Sequence, residues 1–154
     1  MKTVKTIAFA FLFGFSGLLS LAQNRIPVNE PDYNRPTLFK ELPHKMALTI
    51  SDLVPLFDIS NGTVVIAKLT KDFQFTGTIV SKSGDAKSAV RSVIISSATH
   101  RGAVLTFTKI TSQDGSFAYQ GRIISRESID AYEIIKEDDQ YVLMKKNYYE
   151  MVRE

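Results

Sequence analysis

Cysteine and tryptophan are absent from this 154-residue chain, and histidine occurs only twice. Without a thiol there is no disulfide, no cysteine nucleophile, no thiolate-bound zinc and no lipid-modified cysteine. Small exported domains often rely on disulfide staples, so a chain built this way must hold together by packing. A basic excess is missing too. Lys145-Lys146 is the one adjacent cationic pair, the other Lys and Arg residues being scattered. Sequence-independent nucleic-acid binding needs clustered cations that displace counterions, so nucleic acid is not an expected partner. No G-x-S-x-G elbow, H-E-x-x-H pair, P-loop or dinucleotide fingerprint occurs, so neither a cofactor nor catalysis is expected.

What is present begins with an address. Lys2 and Lys5 precede the apolar run Ile7–Leu19, and Ser20-Leu21-Ala22 puts small residues at the −3 and −1 positions before Gln23. The run is too short to span a bilayer and lacks a stop-transfer flank. The expectation is a secretory signal over residues 1–22, cleaved between Ala22 and Gln23. The product would be secreted or periplasmic and would not span a membrane. Losing Lys2 and Lys5 lowers the net charge from +3 to +1, so the apparent basicity belongs largely to the leader.

Residues 23–45 hold four of the five prolines and no sustained period. Proline removes a backbone donor and biases its predecessor to extended geometry, which predicts an extended arm laid across the domain through Leu38, Phe39 and Leu42. Residues 46–154 read as one β domain. A strand over 46–50 and a helical turn near 52–57, capped by Ser51 or Asp52, precede seven β runs. These are 63–69, 73–81, 90–96, 103–111, 117–125, 131–136 and 141–146. The predicted class is all-β, an antiparallel meander curled into a small sandwich or half-barrel.

The meander carries an internal repeat. Phe73–Lys82 and Phe117–Arg126 share the pattern Phe, any, aromatic, any, Gly, any, Ile, β-branched, Ser, basic. Further matches between 92–96 and 132–136, and between 103–106 and 141–144, define two three-stranded pseudo-repeats, 73–111 and 117–146. Period-two geometry places Phe73, Phe75, Gly77 and Ile79 on one face, and likewise Phe117, Tyr119, Gly121 and Ile123. The central glycines are expected to let each strand bend around an aromatic core.

Side chains with chemical potential are few. His44 and His100 belong to no motif and read as surface residues. Asp85 and Asp130 each precede an alanine at matching points of the repeat; paired carboxylates could serve glycoside cleavage, but turn chemistry is the expected role. Glu137-Asp138-Asp139 reads as a hairpin tip rather than a calcium loop, and Asn61-Gly62 as a turn. Tyr148 and Tyr149 cannot both point inward if their segment is extended. Together with Phe39 of the arm, they are the expected contact residues for a partner.

Residues 46–146 resemble the β-meander propeptide region that precedes the catalytic domain in some secreted zinc metallopeptidases. The matching pieces are Phe75–Ile79, Ser92–Ser96 and Tyr141–Leu143. The peptidase domain itself is absent, so the resemblance implies a stand-alone partner or inhibitor of such an enzyme. The residues themselves point to a non-catalytic exported domain that binds a protein or glycan outside the cytoplasm. A small-ligand carrier would instead require an open apolar interior.

Overall fold

Alternating burial runs through nearly every β segment of this computed structural model, which describes residues 32–152. The expected leader over 1–22, its Ala22–Gln23 cleavage point and the arm before residue 32 lie outside the described residues. From Tyr33 onward the chain packs as one unit. Its strands are β1 (Lys45–Ala47), β2 (Val64–Lys68), β3 (Gln74–Ser83), β4 (Val90–Ser97), β5 (Ala103–Thr111), β6 (Phe117–Ser125), β7 (Asp130–Glu137) and β8 (Gln140–Asn147). Helix α1 (Ile50–Leu53) runs into a 3-10 turn (Val54–Asp58) after β1, and α2 (Tyr148–Met151) follows β8. No helix among the described residues is long and apolar enough to cross a membrane.

All eight strands form one antiparallel sheet in the order β1-β8-β7-β6-β5-β4-β3-β2. The sheet curls into a half-barrel, as the meander pattern implies. Thr49 N–H, just past β1, donates to the Leu69 carbonyl just past β2 at 3.0 Å, a backbone bond between the two ends of the sheet. The concave face is filled rather than hollow. Leu53, Leu56 and Phe57 enter it from α1 and the 3-10 turn, and Phe57 stacks on Phe107 at 5.1 Å and 21°. Burying a side chain of this size is worth about 1.5–3 kcal/mol, and the filled interior argues against a ligand carrier. The expected cap differs: Thr49 precedes the first helical residue, so Ser51 and Asp52 lie inside α1.

Both repeat glycines face the core where neighbouring backbone passes closest. A Cβ on Gly77 would sit 2.2 Å from the Ser96 carbonyl oxygen, and one on Gly121 would sit 2.4 Å from that of Thr106. The two three-strand units are nevertheless not superposable. In a meander, three strands reverse the chain direction, so β6 runs opposite to β3. Carrying one unit onto the other with the same face inward would require a mirror operation. The repeat is therefore one of strand pattern, each strand independently meeting the same curved core.

The odd strand count also separates the two aspartates. Asp85 lies in the β3–β4 connection and Asp130 at the start of β7, at opposite ends of the strands. A strand of eight residues, such as β4, spans about 26 Å, well beyond any acid–base carboxylate pair. A backbone N–H of Lys87 and the Ser88 hydroxyl bind Asp85 and hold its carboxyl below the usual value.

The arm is indeed laid across the domain, and Asp130 is one of its anchors. Its carboxylate accepts the N–H groups of Leu38 and Phe39, each at 2.8 Å, and the Ser128 hydroxyl. From β8, Lys145 Nζ donates to the carbonyls of Phe39 (2.6 Å) and Leu42 (2.7 Å). An anion thus holds the amino end of the turn at 38–42 and a cation holds its carbonyl end, the polarity a short turn's dipole favours. Tyr132 donates to the Pro43 carbonyl at 2.6 Å, and burial together with the Asp130 charge pushes its phenol up to about 12.

Candidate binding groove

Apart from a register shift in the β3–β4 ladder between Ile79 and Ser81, the sheet is interrupted between β6 and β7. The β5–β6 ladder pairs nine residues of each strand, and β7 pairs with β8 over its whole length. Between β6 and β7 only Gly121–Ile134, Arg122–Glu133 and Ile123–Tyr132 are paired. Beyond Gly121 the tips of the two hairpins diverge, so Phe117–Gln120 and Ile135–Glu137 face each other without a shared ladder. Two features frame the opening. Gly121 is the last paired residue, and its bare backbone lets β7 come close, Ile134 Cδ1 lying 2.8 Å from where a Cβ would sit. Beyond it, the Tyr141 ring meets Tyr119 edge-on at 5.6 Å and its hydroxyl accepts the Tyr119 backbone N–H at 3.0 Å. That hydroxyl takes the bond a strand carbonyl would otherwise supply.

The resulting groove measures about 690 Å³. Ala118, Gln120 and Arg122 of β6 form one wall; Glu133, Ile135 and Lys136 of β7 form the other. Tyr119 stacks on Phe107 at 5.4 Å and 7°, and burial followed by the nearby Tyr141 phenol raises its own phenol above the ordinary value. The groove therefore combines planar rings, side chains of both charges and an incompletely paired strand edge. The β7–β8 tip at its mouth is the expected tight turn. Asp138 and Asp139 take φ of 43° and 65°, and Lys136 pairs with Asp139 at 2.9 Å.

No family model, curated protein or solved structure matches this chain. Function must therefore be argued from the site itself. Of the sequence-predicted contact residues, Phe39 is not available. It is 1% exposed, with the rings of His100, Tyr132 and Phe73 at 5.2, 5.5 and 6.2 Å. Its apolar ring gains more from that cluster than from water. Tyr148 and Tyr149 are half-buried, and their segment is not extended but forms α2, closed by a capping box between Asn147 and Glu150. The Arg35 guanidinium lies 5.3 and 5.2 Å from their ring centres, and Tyr33 sits 6.0 Å from Tyr149. The two tyrosines thus clasp the arm at Tyr33 and Arg35, a role that their adjacency in sequence does not reveal.

Phe117 shares the inward parity of Tyr119 but is 58% exposed, because β6 there has passed beyond the covering elements. Lys109 Nζ lies 4.9 Å over its ring beside the groove mouth. His100 is only partly at the surface. Half-buried, it stacks parallel to Phe75 at 6.2 Å under the arm, its Nδ1 3.0 Å from the Thr99 hydroxyl.

Two measurements test this geometry. Replacing Tyr141 with Phe keeps the ring but strands the Tyr119 N–H, which should cost about 1 kcal/mol and speed exchange of that amide relative to Gly121. An unchanged Tyr119 exchange rate would show that the bond is not made. Desolvation lowers the His100 pKa, so the folded state favours neutral imidazole while the unfolded chain takes up a proton below about pH 6.5. The stability this contributes is present above that pH and is lost as pH falls through it. Urea midpoints at pH 7.5 and 5.5 should differ more for wild type than for His100→Phe; equal differences would refute the linkage.

Proposed function

We propose that this chain is an exported, non-catalytic β domain that binds a protein or glycan outside the cytoplasm, with the β6–β7 groove as its binding site. The observation that carries the reading is the opening of the β6–β7 ladder within the eight-stranded sheet. Proteins rarely leave two formed strands apart without filling the space, since each unpaired strand edge forgoes ladder bonds. Here the gap begins past Gly121, is bridged by the Tyr141 hydroxyl, and is lined by groups suited to recognition: two phenol rings, an arginine, a lysine, a glutamate and an amide. Export rests on the residue pattern of 1–22. The non-catalytic reading draws support from the separation of Asp85 and Asp130, which sets aside that carboxylate pair.

The test is retention of exported and envelope material by the wild-type protein and by Ala118→Trp, which puts an indole into the groove from an exposed position. A protein or glycan held by the first and lost by the second supports the reading. Equal retention by both removes the groove from it. The alternative reading, a propeptide-like partner or inhibitor of a secreted metallopeptidase, draws on Tyr141 belonging both to the resembling segment and to the groove. It predicts that the wild-type protein slows a co-exported metallopeptidase and that Ala118→Trp does so less.

A further inference from the structure

We infer that the groove takes an extended peptide by strand addition, a reading that rests on the groove being the binding site. The direction of the backbone groups carries it. Along β6 every second residue turns its N–H and C=O toward β7. Gly121 and Ile123 belong to that set and reach their β7 partners, whereas Tyr119 has only a side-chain hydroxyl. Phe117, next in the same set, turns its backbone groups to the same side at the end of β6, beyond the residues that line the groove. The wall therefore presents hydrogen-bonding groups at two-residue spacing over about 13 Å, the length of four extended residues.

A peptide main chain offers donors and acceptors at that same repeat, and a sugar chain does not. Tyr141 Oη marks the place an incoming carbonyl would take, donor and distance already set at Tyr119 N–H. Side chains of the added strand would alternate between two surroundings. One set meets the rings of Tyr119 and Tyr141, and the other meets Gln120, Arg122 and Glu133. The expected ligand alternates apolar or aromatic residues with polar ones of either charge, bound chiefly through its backbone.

The test is selection of displayed random heptapeptides on the full-length protein, followed by anisotropy with synthetic copies of the enriched sequences. N-methylation at alternate positions removes backbone donors from one edge at a time. Methylation on the edge facing β6 should weaken binding at least tenfold, and methylation of side-chain-equivalent positions on the opposite parity should weaken it less. Ala118→Trp should abolish binding. Failure to enrich any peptide, loss without parity, or insensitivity to Ala118→Trp overturns strand addition. If a glycan is retained in the groove while no peptide is selected, strand addition fails and the proposed function stands. If Ala118→Trp changes no binding of any kind, strand addition falls and the groove is removed from the proposed function.

Discussion

Alanine at Gly77 is expected to destabilise the domain by about 3 kcal/mol or more, a large share of what a chain of this size has to lose. The added methyl would begin 2.2 Å from the Ser96 carbonyl oxygen and 2.8 Å from Ile95 Cγ2. The first obstacle is backbone of β4, held in a ladder on both sides, so it cannot swing away as a flexible side chain would. Relief requires β3 and β4 to separate by nearly an ångström where the core is tightest. Gly115 supplies the contrast. It has a φ of 85° but nothing within 4 Å of its would-be Cβ, so alanine there costs only the left-handed backbone penalty of about 1–2 kcal/mol. Urea unfolding of Gly77→Ala and Gly115→Ala measures the difference directly. A Gly77 variant no less stable than the Gly115 variant would mean that strand curvature, not close approach, selects the glycine.

That contrast also shows what was legible in the sequence. Strand positions follow from period-two alternation and turn residues, both local, and β5 and β6 begin and end where the pattern places them. The glycine in each Phe-x-aromatic-x-Gly strand is legible as a bend because no side chain interrupts an otherwise bulky row. What depends on partners far along the chain was not legible. Asp130 reads as a turn residue because its ligands, the amides of Leu38 and Phe39, lie about ninety residues earlier. Tyr141 reads as a strand aromatic, and nothing local shows its hydroxyl crossing β7 to the Tyr119 amide. The groove lies where the ladder between two hairpins stops. That is a relation between strand pairs, and periodicity within one strand carries no record of it. Phe117 illustrates the limit most simply: parity assigned its face correctly, but burial depends on what covers that face.

Removing the Phe39 ring should have the other large effect, about 3–5 kcal/mol for Phe39→Ala, and most of it should appear first in the arm. Around this one side chain the arm is held by polar pins. Asp130 and Lys145 clasp the turn, while Leu38 and Leu42 are only half-buried. Each pin trades against water, so a typical bond contributes about 1 kcal/mol and a charged one about 1.5–3. The aromatic anchor makes the pins effective by excluding water from them. Without it, the Asp130 and Lys145 charges rehydrate and lose their advantage, so the turn should open while the eight-stranded sheet stays formed. Lys40, exposed within that turn, is the reporter. Trypsin should cut after Lys40 far faster in Phe39→Ala than in wild type, at urea concentrations where the sheet is intact by circular dichroism. Asp130→Ala should move cleavage the same way by stranding the two amides, and Leu42→Ala should do so less. If cleavage after Lys40 instead tracks global unfolding in all three variants, arm and sheet form one cooperative unit. The arm would then be as much a part of the core as any strand.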